Sequence, residues 1–281
     1  MKYVAVDGGL GNQMFQYAFL LALKAKGYKM CLFLATDQWE HHTGFELCRV
    51  FDINRKISYW EKLCRKFPFP FRKIFILSHK TFKDFNFLYQ RKALSSNNYD
   101  YYYGTWQSEL YFKGIRDIIL KEFSFNQKKI NAQTKEILQL IKNESRTTVS
   151  VHIRRGDYLN AAFKVGFGTC CPKQYYMQAM AYVSDRIKSE ILFVFFSDDI
   201  AWVKDNLKVK NAIYVNHNHA SDSWQDMFLM SQCENNIIAN SSFSWWGAWL
   251  NSNANKVVVA PKKWWSSLEH DDVVPDSWVR I

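Results

Sequence analysis

The sequence predicts an α/β protein built on parallel, doubly wound sheets, and three observations predict it. Between residues 148 and 260, short apolar runs (TVSVHI, ILFVFF, NAIYVN, NNIIAN, KVVVA) alternate with segments of helical pattern, and strands that alternate with helices pair in parallel. The chain opens on an apolar strand, KYVAVD (2–7), a turn holding Gly8, Gly9 and Gly11, and a helix beginning at MFQYAFLLALKAKG. Finally, Val149, Val151 and Ile153 are β-branched, alternate with Thr148, Ser150 and His152, and run straight into Arg154, Arg155, Gly156 and Asp157. In an open α/β sheet a ligand binds just outside such a carboxyl end.

The first helix has strong helix formers, Lys24 and Lys26 in its last turn, Gly27 as its stop and Asn12 as its candidate N-cap. A glycine turn between strand and helix aims backbone amides, here Gly9 to Gln13, at an anion. It serves equally as a plain tight connection, and Met14 breaks the GxGxxG spacing. KMCLFL (29–34) reads as the second strand. The polar loop behind it holds Asp37, His41, His42 and Glu46, either a wall for an acceptor or a solvated loop.

Residues 61–92 carry seven phenylalanines among nine Lys or Arg, with two acidic residues. That composition suits an interfacial membrane segment, or a buried cap with a basic rim. Pro68 and Pro70 argue against a long helix there. DYYYGTWQSELYF (100–112) offers Trp106, Gln107 and Glu109 to a sugar-binding wall, or its aromatics to the core. A helix at 131–143 and the charged stretch Lys142–Arg146 place a domain boundary at 145/146, giving units 1–145 and 146–281.

In the second half, Pro172 opens a helix running to Ile187, and ILFVFF (191–196) stops at Ser197-Asp198-Asp199. Helices follow over IAWVKDNL, over SDSWQDMFLMSQC with Asp222 as candidate cap, and over SSFSWWGAWL, which starts on serines. Trp245, Trp246 and Trp249 read as packing.

The 281 residues allow two domains, and a net charge of +11 with a pI near 9.2 calls for an anionic partner: nucleic acid, a membrane surface or a phosphorylated substrate. Six cysteines form no CxxC pair and no metal spacing, which fits reduced thiols in a cytosolic protein. With a strand opening the sequence and no apolar run near a membrane span of ~20 residues, neither a signal peptide nor a transmembrane anchor is expected.

Three strand ends converge by topology. One offers His152 and Arg154 on one face, Arg155 on the other, and Asp157 beyond. The next offers Asp198 and Asp199. The last offers Asn240, Ser241, Ser242, Phe243 and Ser244 at a helix start. A guanidinium forks onto two phosphate oxygens, a helix N-terminus binds phosphate, and carboxylates suit ribose hydroxyls or the N–H edge of guanine. The set describes a nucleoside diphosphate site. The plainer readings are an Arg155–Asp157 ion pair closing the loop, and Asp198 or Asp199, with Ser241 and Ser242, acting as helix caps.

HIRRGDY (152–158), GGLGNQMFQYAF (8–19), FSDD (196–199) and IIANSSFSWWGAWL (237–250), with WQSELYF (106–112) and HTGFEL (42–47), resemble the α-1,2-fucosyltransferase family, glycosyltransferase family 11, across nearly the whole chain. The resemblance implies a GT-B-like fold of two Rossmann-like domains facing a cleft. It implies transfer of L-fucose from GDP-β-L-fucose to the 2-hydroxyl of a terminal β-galactoside, with inversion, no metal and no cofactor. The carboxy-terminal half would bind GDP-fucose through the three strand ends, and the amino-terminal half would add Gly9, Gly11, Asn12 and Gln13 to that donor site and supply most of the acceptor site. Arg154 and His152 would be the catalytic pair.

Asp37, His42 and Glu46 are the candidate bases for the acceptor proton; in a strongly dissociative path a departing phosphate oxygen takes it instead. A basic nucleic-acid-binding protein and an inactive, lectin-like family member are the competing readings. The expected location is the cytoplasm, with peripheral contact at the inner face of a membrane if residues 61–92 lie on lipid.

Overall fold

The computed structural model describes residues 1–34, 44–54, 61–62, 68–95, 97–160 and 164–281. They divide into two compact units, Met1–Asn126 and Gln127–Ile281. Each unit has its own sheet, and every ladder in both is parallel.

The first unit begins with β1 (Lys2–Val6), buried on both faces from Tyr3 to Val6, as befits a strand covered on both sides. α1 (Leu10–Ala25) starts earlier than Asn12 as cap would allow. The Gly9 carbonyl already accepts the amides of Asn12 and Gln13, at 3.0 and 3.1 Å, so Gly9 is the N-cap. Asn12 therefore lies inside the helix, and its Oδ1 accepts from Gln107 Nε2 at 2.8 Å. Gly27, at φ +88°, ends the helix as expected.

β2 (Met30–Leu34) follows. Pro68 and Pro70, which argued against a long helix, open the 11-residue α2 (Pro68–Ser78). Both lie in its first turn, where amides lack a helical acceptor in any case, so proline removes nothing there. β3 (Thr81–Asp84) and β4 (Tyr101–Gly104) complete the order β2-β1-β4-β3. Trp106 is core rather than wall: fully buried, it stacks on Phe19 with centroids 4.0 Å apart and planes 3° apart, a pairing worth ~0.5–1.5 kcal/mol beyond burial.

The second unit opens before the expected boundary at 145/146, because α3 (Ala132–Asn143) packs within it. Asn131 caps this helix by accepting from the Thr134 amide at 2.8 Å. Its own amide donates to Gln225 Oε1 at 2.9 Å, and its Nδ2 to Asn218 Oδ1 at 2.9 Å. A charged stretch marks a surface but need not mark a seam, and these bonds tie α3 to the helix that contains Gln225.

β5 (Thr147–Ile153), α4 (Lys173–Arg186), β6 (Ile191–Ser197), α5 (Ile200–Leu207), β7 (Ile213–Val215), α6 (Trp224–Gln232), β8 (Asn235–Ile237), α7 (Ser242–Leu250) and β9 (Val258–Ala260) follow the expected alternation. β10 (Val279–Arg280) was not foreseen, being too short to show a period. Asp222 does not cap α6; it lies in a short 3₁₀ turn, and Ser223 is the N-cap. Trp245, Trp246 and Trp249 are buried, as read. The order β10-β9-β8-β5-β6-β7 reverses direction at β5/β8, and such a reversal opens a crevice at the carboxyl ends of the strands. Among the described residues no helix is long and apolar enough to cross a membrane, and the described cysteines are free thiols.

Candidate active site

The reversal point is where HIRRGDY ends its strand. Ile153 of β5 pairs with Ser197 of β6, and Val151 with Ile237 of β8, so residues 154–157, 198–199 and 240–242 leave three adjacent strand ends together. Arg154 lies between two carboxylates: Nη2 is 2.8 Å from Asp157 Oδ1 and Nη1 is 3.0 Å from Asp198 Oδ2. Burial works against its charge, but Asp198 and then Asp157 outweigh it and hold the guanidinium pKa above its ordinary value. Asp198 also accepts the amides of Arg155 and Gly156, at 2.9 and 3.1 Å. One carboxylate thus fixes both the arginine and the turn that follows it. Gly156 leaves room for that carboxylate, since a Cβ at that position would lie 2.8 Å from Asp198 Oδ2 and push it aside.

Arg155 goes elsewhere, as period two on the strand demands. Its Nε donates to Asp199 Oδ2 at 3.0 Å, and its guanidinium lies 4.0 Å over the Trp202 ring. The alternative of an Arg155–Asp157 pair closing the loop gives way to two separate pairs, Arg154–Asp157 and Arg155–Asp199. Asp199 is the cap of α5, its Oδ1 accepting the Trp202 amide at 3.1 Å. That amide and then Arg155 hold its carboxyl below the usual range.

His152 is buried beside Arg154, and its pKa is pushed down to about 3 by burial and then by that arginine. It is a neutral imidazole at neutral pH, 5.9 Å from the Phe243 ring, and its Nδ1 is a buried atom without a hydrogen-bond partner. A neutral ring aimed from a strand end can orient or accept; it cannot supply positive charge.

The start of α7 divides the serine motif. Ser241 is the N-cap without a side-chain cap bond, and the Trp245 amide is the first to return to it, at 3.0 Å from the Ser241 carbonyl. The amides of Ser242, Phe243 and Ser244 therefore precede the helical ladder, as an anion site needs. The side chains of Ser244 and Asn240 do not serve a ligand. Ser244 is buried and its hydroxyl donates to the carbonyls of Ala239 and Ser241 at 3.5 and 3.3 Å. Asn240 donates to the carbonyls of Phe167 and Trp264 at 3.0 and 3.2 Å and accepts from Cys171 Sγ at 3.3 Å.

Tyr158 was missed as a site residue. Its hydroxyl donates to the Asn240 carbonyl at 2.9 Å, its ring stacks on Phe167, and Arg154 lies 5.9 Å from its centroid. It pins the loop after β5 to the end of β8. Trp202 was missed too, although its place three residues after Asp199, in the first turn of a helix, was a usable signal.

In the first unit, Gly9 and Gly11 lie at the helix start, as read, and Gly8 at φ +71° has no room for a Cβ against Asn12. Gln13, a candidate ligand contact, is fully buried. Its Nε2 donates to the carbonyls of Gly8 and Gly44 at 2.9 and 2.8 Å, and its Oε1 accepts the Glu46 amide at 2.8 Å. Glu46, a candidate base, is buried and paired with Arg49. Gln107 is buried on Asn12, and Glu109 starts a 3₁₀ turn. Asp37 and His42 lie outside the described residues.

A Rossmann-type order with arginines and a helix start at its reversal point suits a nucleotide or other phosphorylated ligand. The chain matches the family model Glycosyl transferase family 11 over residues 1–281 and belongs to that family of glycosyltransferases. An alpha-1,2-colitosyltransferase of Escherichia coli is 34% identical over 296 residues, covering 98% of this chain and 96% of that one. The galactoside 2-alpha-L-fucosyltransferase Sec1 of Mus musculus is 26% identical over 255 residues, covering 89% of this chain and 64% of that protein. NodZ alpha-1,6-fucosyltransferase from Bradyrhizobium, co-crystallized with GDP, has a TM-score of 0.52 at 12% identity, covering 87% of this chain and 90% of that one. That likeness confirms a GT-B-like fold with two Rossmann-like units.

Proposed function

We propose that the protein transfers L-fucose from GDP-β-L-fucose to the 2-hydroxyl of a terminal β-galactoside, with inversion and without a metal ion. The observation that carries the reading is Arg154 at the β5/β8 reversal, beside the free amides at the start of α7. Charge grows on the diphosphate as the sugar–oxygen bond breaks, and donors fixed in advance favour that state over the bound substrate. Arg154 would exchange its hold on Asp157 or Asp198 for the diphosphate. The amides of Ser242, Phe243 and Ser244 would receive the other oxygens, and neutral His152 would present Nδ1 to the donor. The α-1,2 linkage in the names of both relatives and the GDP complex of NodZ support this choice.

A second reading differs only in the donor sugar. The colitosyltransferase relative favours GDP-colitose, whose sugar is L-fucose without its 3-hydroxyl. Incubation of the enzyme with each GDP-sugar and a panel of galactosides, read by mass spectrometry, separates the two. Transfer from GDP-fucose at a higher kcat/KM supports the first reading. Transfer from GDP-colitose alone replaces it, and transfer from neither removes both.

A further inference from the structure

We propose that the surface formed by α2 and the edge strand β3 is a docking site for an anionic lipid bilayer. Phe75 is the inward residue of α2. Its ring meets Tyr3, Phe33 and Tyr101 at 5.1, 4.4 and 5.5 Å and seats the helix on one face of the first sheet. The opposite side of that helix is open, with Ile74 48% and Leu77 75% exposed one turn apart.

The patch continues onto the edge of the sheet. Tyr101 and Tyr103 stack along the α2 side of β4, and Tyr103 meets Phe85, itself 51% exposed, at 5.0 Å. The register pairs Lys83 with Tyr103, so Lys83 projects from that same side. Lys73 on α2, Lys80 at its exit and Lys83 are all exposed. Asp84, the sole acidic residue between positions 62 and 99, alternates to the other face. There it is buried, accepting from Tyr111 and Gln90 at 2.8 and 3.1 Å. Aliphatic and aromatic side chains ringed by lysines, with the local carboxylate turned away, match an anionic interface: the apolar groups enter it and the ammonium groups reach the headgroups.

The same features select among partners. Of the large apolar side chains named on this patch, the two most prominent on α2, Ile74 and Leu77, offer nothing for bases to stack on, and Phe85 is a single exposed ring. A second copy meeting this face across a two-fold axis would set lysine against lysine.

Sedimentation of the whole protein with vesicles of phosphatidylcholine, with and without phosphatidylglycerol, tests it. Binding is expected only with phosphatidylglycerol and should weaken as salt rises. Replacing Lys73, Lys80 and Lys83 together by alanine should lower it on the order of a hundredfold, about fivefold for each charge. Ile74→Ser with Leu77→Ser should lower it by about tenfold. A charge-matched variant at Lys142, Lys188 and Lys210 should keep most of it. All variants should melt as the parent does and transfer sugar to soluble acceptors at the parent's rate. Equal binding to both vesicles, equal loss in the charge-matched variant, or full binding by both patch variants would overturn the proposal.

Discussion

Arg154 and Asp198 hold one another across the ends of two neighbouring strands, Nη1 lying 3.0 Å from Oδ2. The same carboxylate accepts the amides of Arg155 and Gly156, whereas Asp199 beside it accepts the first-turn amide of α5. Two adjacent aspartates therefore have different work, and their substitutions should separate. Asp198→Ala is expected to weaken GDP binding by ~1–3 kcal/mol, because the turn that aims Arg154 loses its charge-assisted bonds. Asp199→Ala should leave GDP affinity nearly intact and lower stability by ~1 kcal/mol, the value of a helix cap. Calorimetry with GDP and thermal melts read the two effects; an unchanged GDP affinity in both variants would sink the role given to this strand end.

Those contacts also bear on metal dependence. Asp198-Asp199 looks like a metal-binding pair in sequence, yet each carboxylate already holds an arginine and a backbone amide. Among the described residues no group of three or more His, Cys, Asp or Glu is placed to hold an ion. Turnover should survive excess EDTA. A loss above about tenfold, restored by Mn²⁺ or Mg²⁺, would recast the pair as a metal site.

The second sheet was legible because its strands are apolar runs with breaks between them, and the facing of the two arginines followed from period two alone. What escaped depended on partners distant in sequence. Nothing near Gln13 announces that Gly8 and Gly44 take its amide, and nothing near Asn240 announces Phe167, Trp264 and Cys171. Both looked like ligand contacts because they stand beside glycine or serine in a turn. The boundary was misplaced for a related reason: the charges at 142–146 are local, while the bonds from Asn131 to Gln225 and Asn218 are not.

Asp226 gives a pH test. It accepts from Asn218 at 2.8 Å, and burial, opposed by that bond, pushes its pKa up to about 7 from an ordinary 3.8. Its folded pKa lies above its unfolded one, so the stability it contributes is full below about pH 4 and is lost as pH rises through about 7. His152 runs the other way: its folded pKa is depressed, so its contribution is present above about 6.5 and is lost as pH falls toward 3. Asp226→Asn removes the first effect and keeps the acceptor for Asn218. The variant should melt above the parent at pH 8 and close to it at pH 5. An equal difference at both pH values would mean that Asp226 does not titrate in this range.

The sharpest test is the pair of arginines. Arg154 points to the side of its strand that carries His152 and lies between two carboxylates it can exchange for phosphate oxygens. Lysine keeps the charge but not the planar fork, so it grips one oxygen where arginine grips two. Arg154→Lys should fold normally and lose kcat on the order of a hundredfold, because the contact strengthens as the sugar–oxygen bond breaks. GDP affinity should fall less, since the ground state uses the contact only in part. Arg155→Lys keeps an ion pair with Asp199 but loses the guanidinium that lies 4.0 Å over the Trp202 ring. It should lower the melting temperature and leave kcat within a few-fold of the parent. Steady-state kinetics and melts run on both proteins decide the assignment. Near-normal turnover in Arg154→Lys together with abolished turnover in Arg155→Lys would move the diphosphate to the other face of the strand.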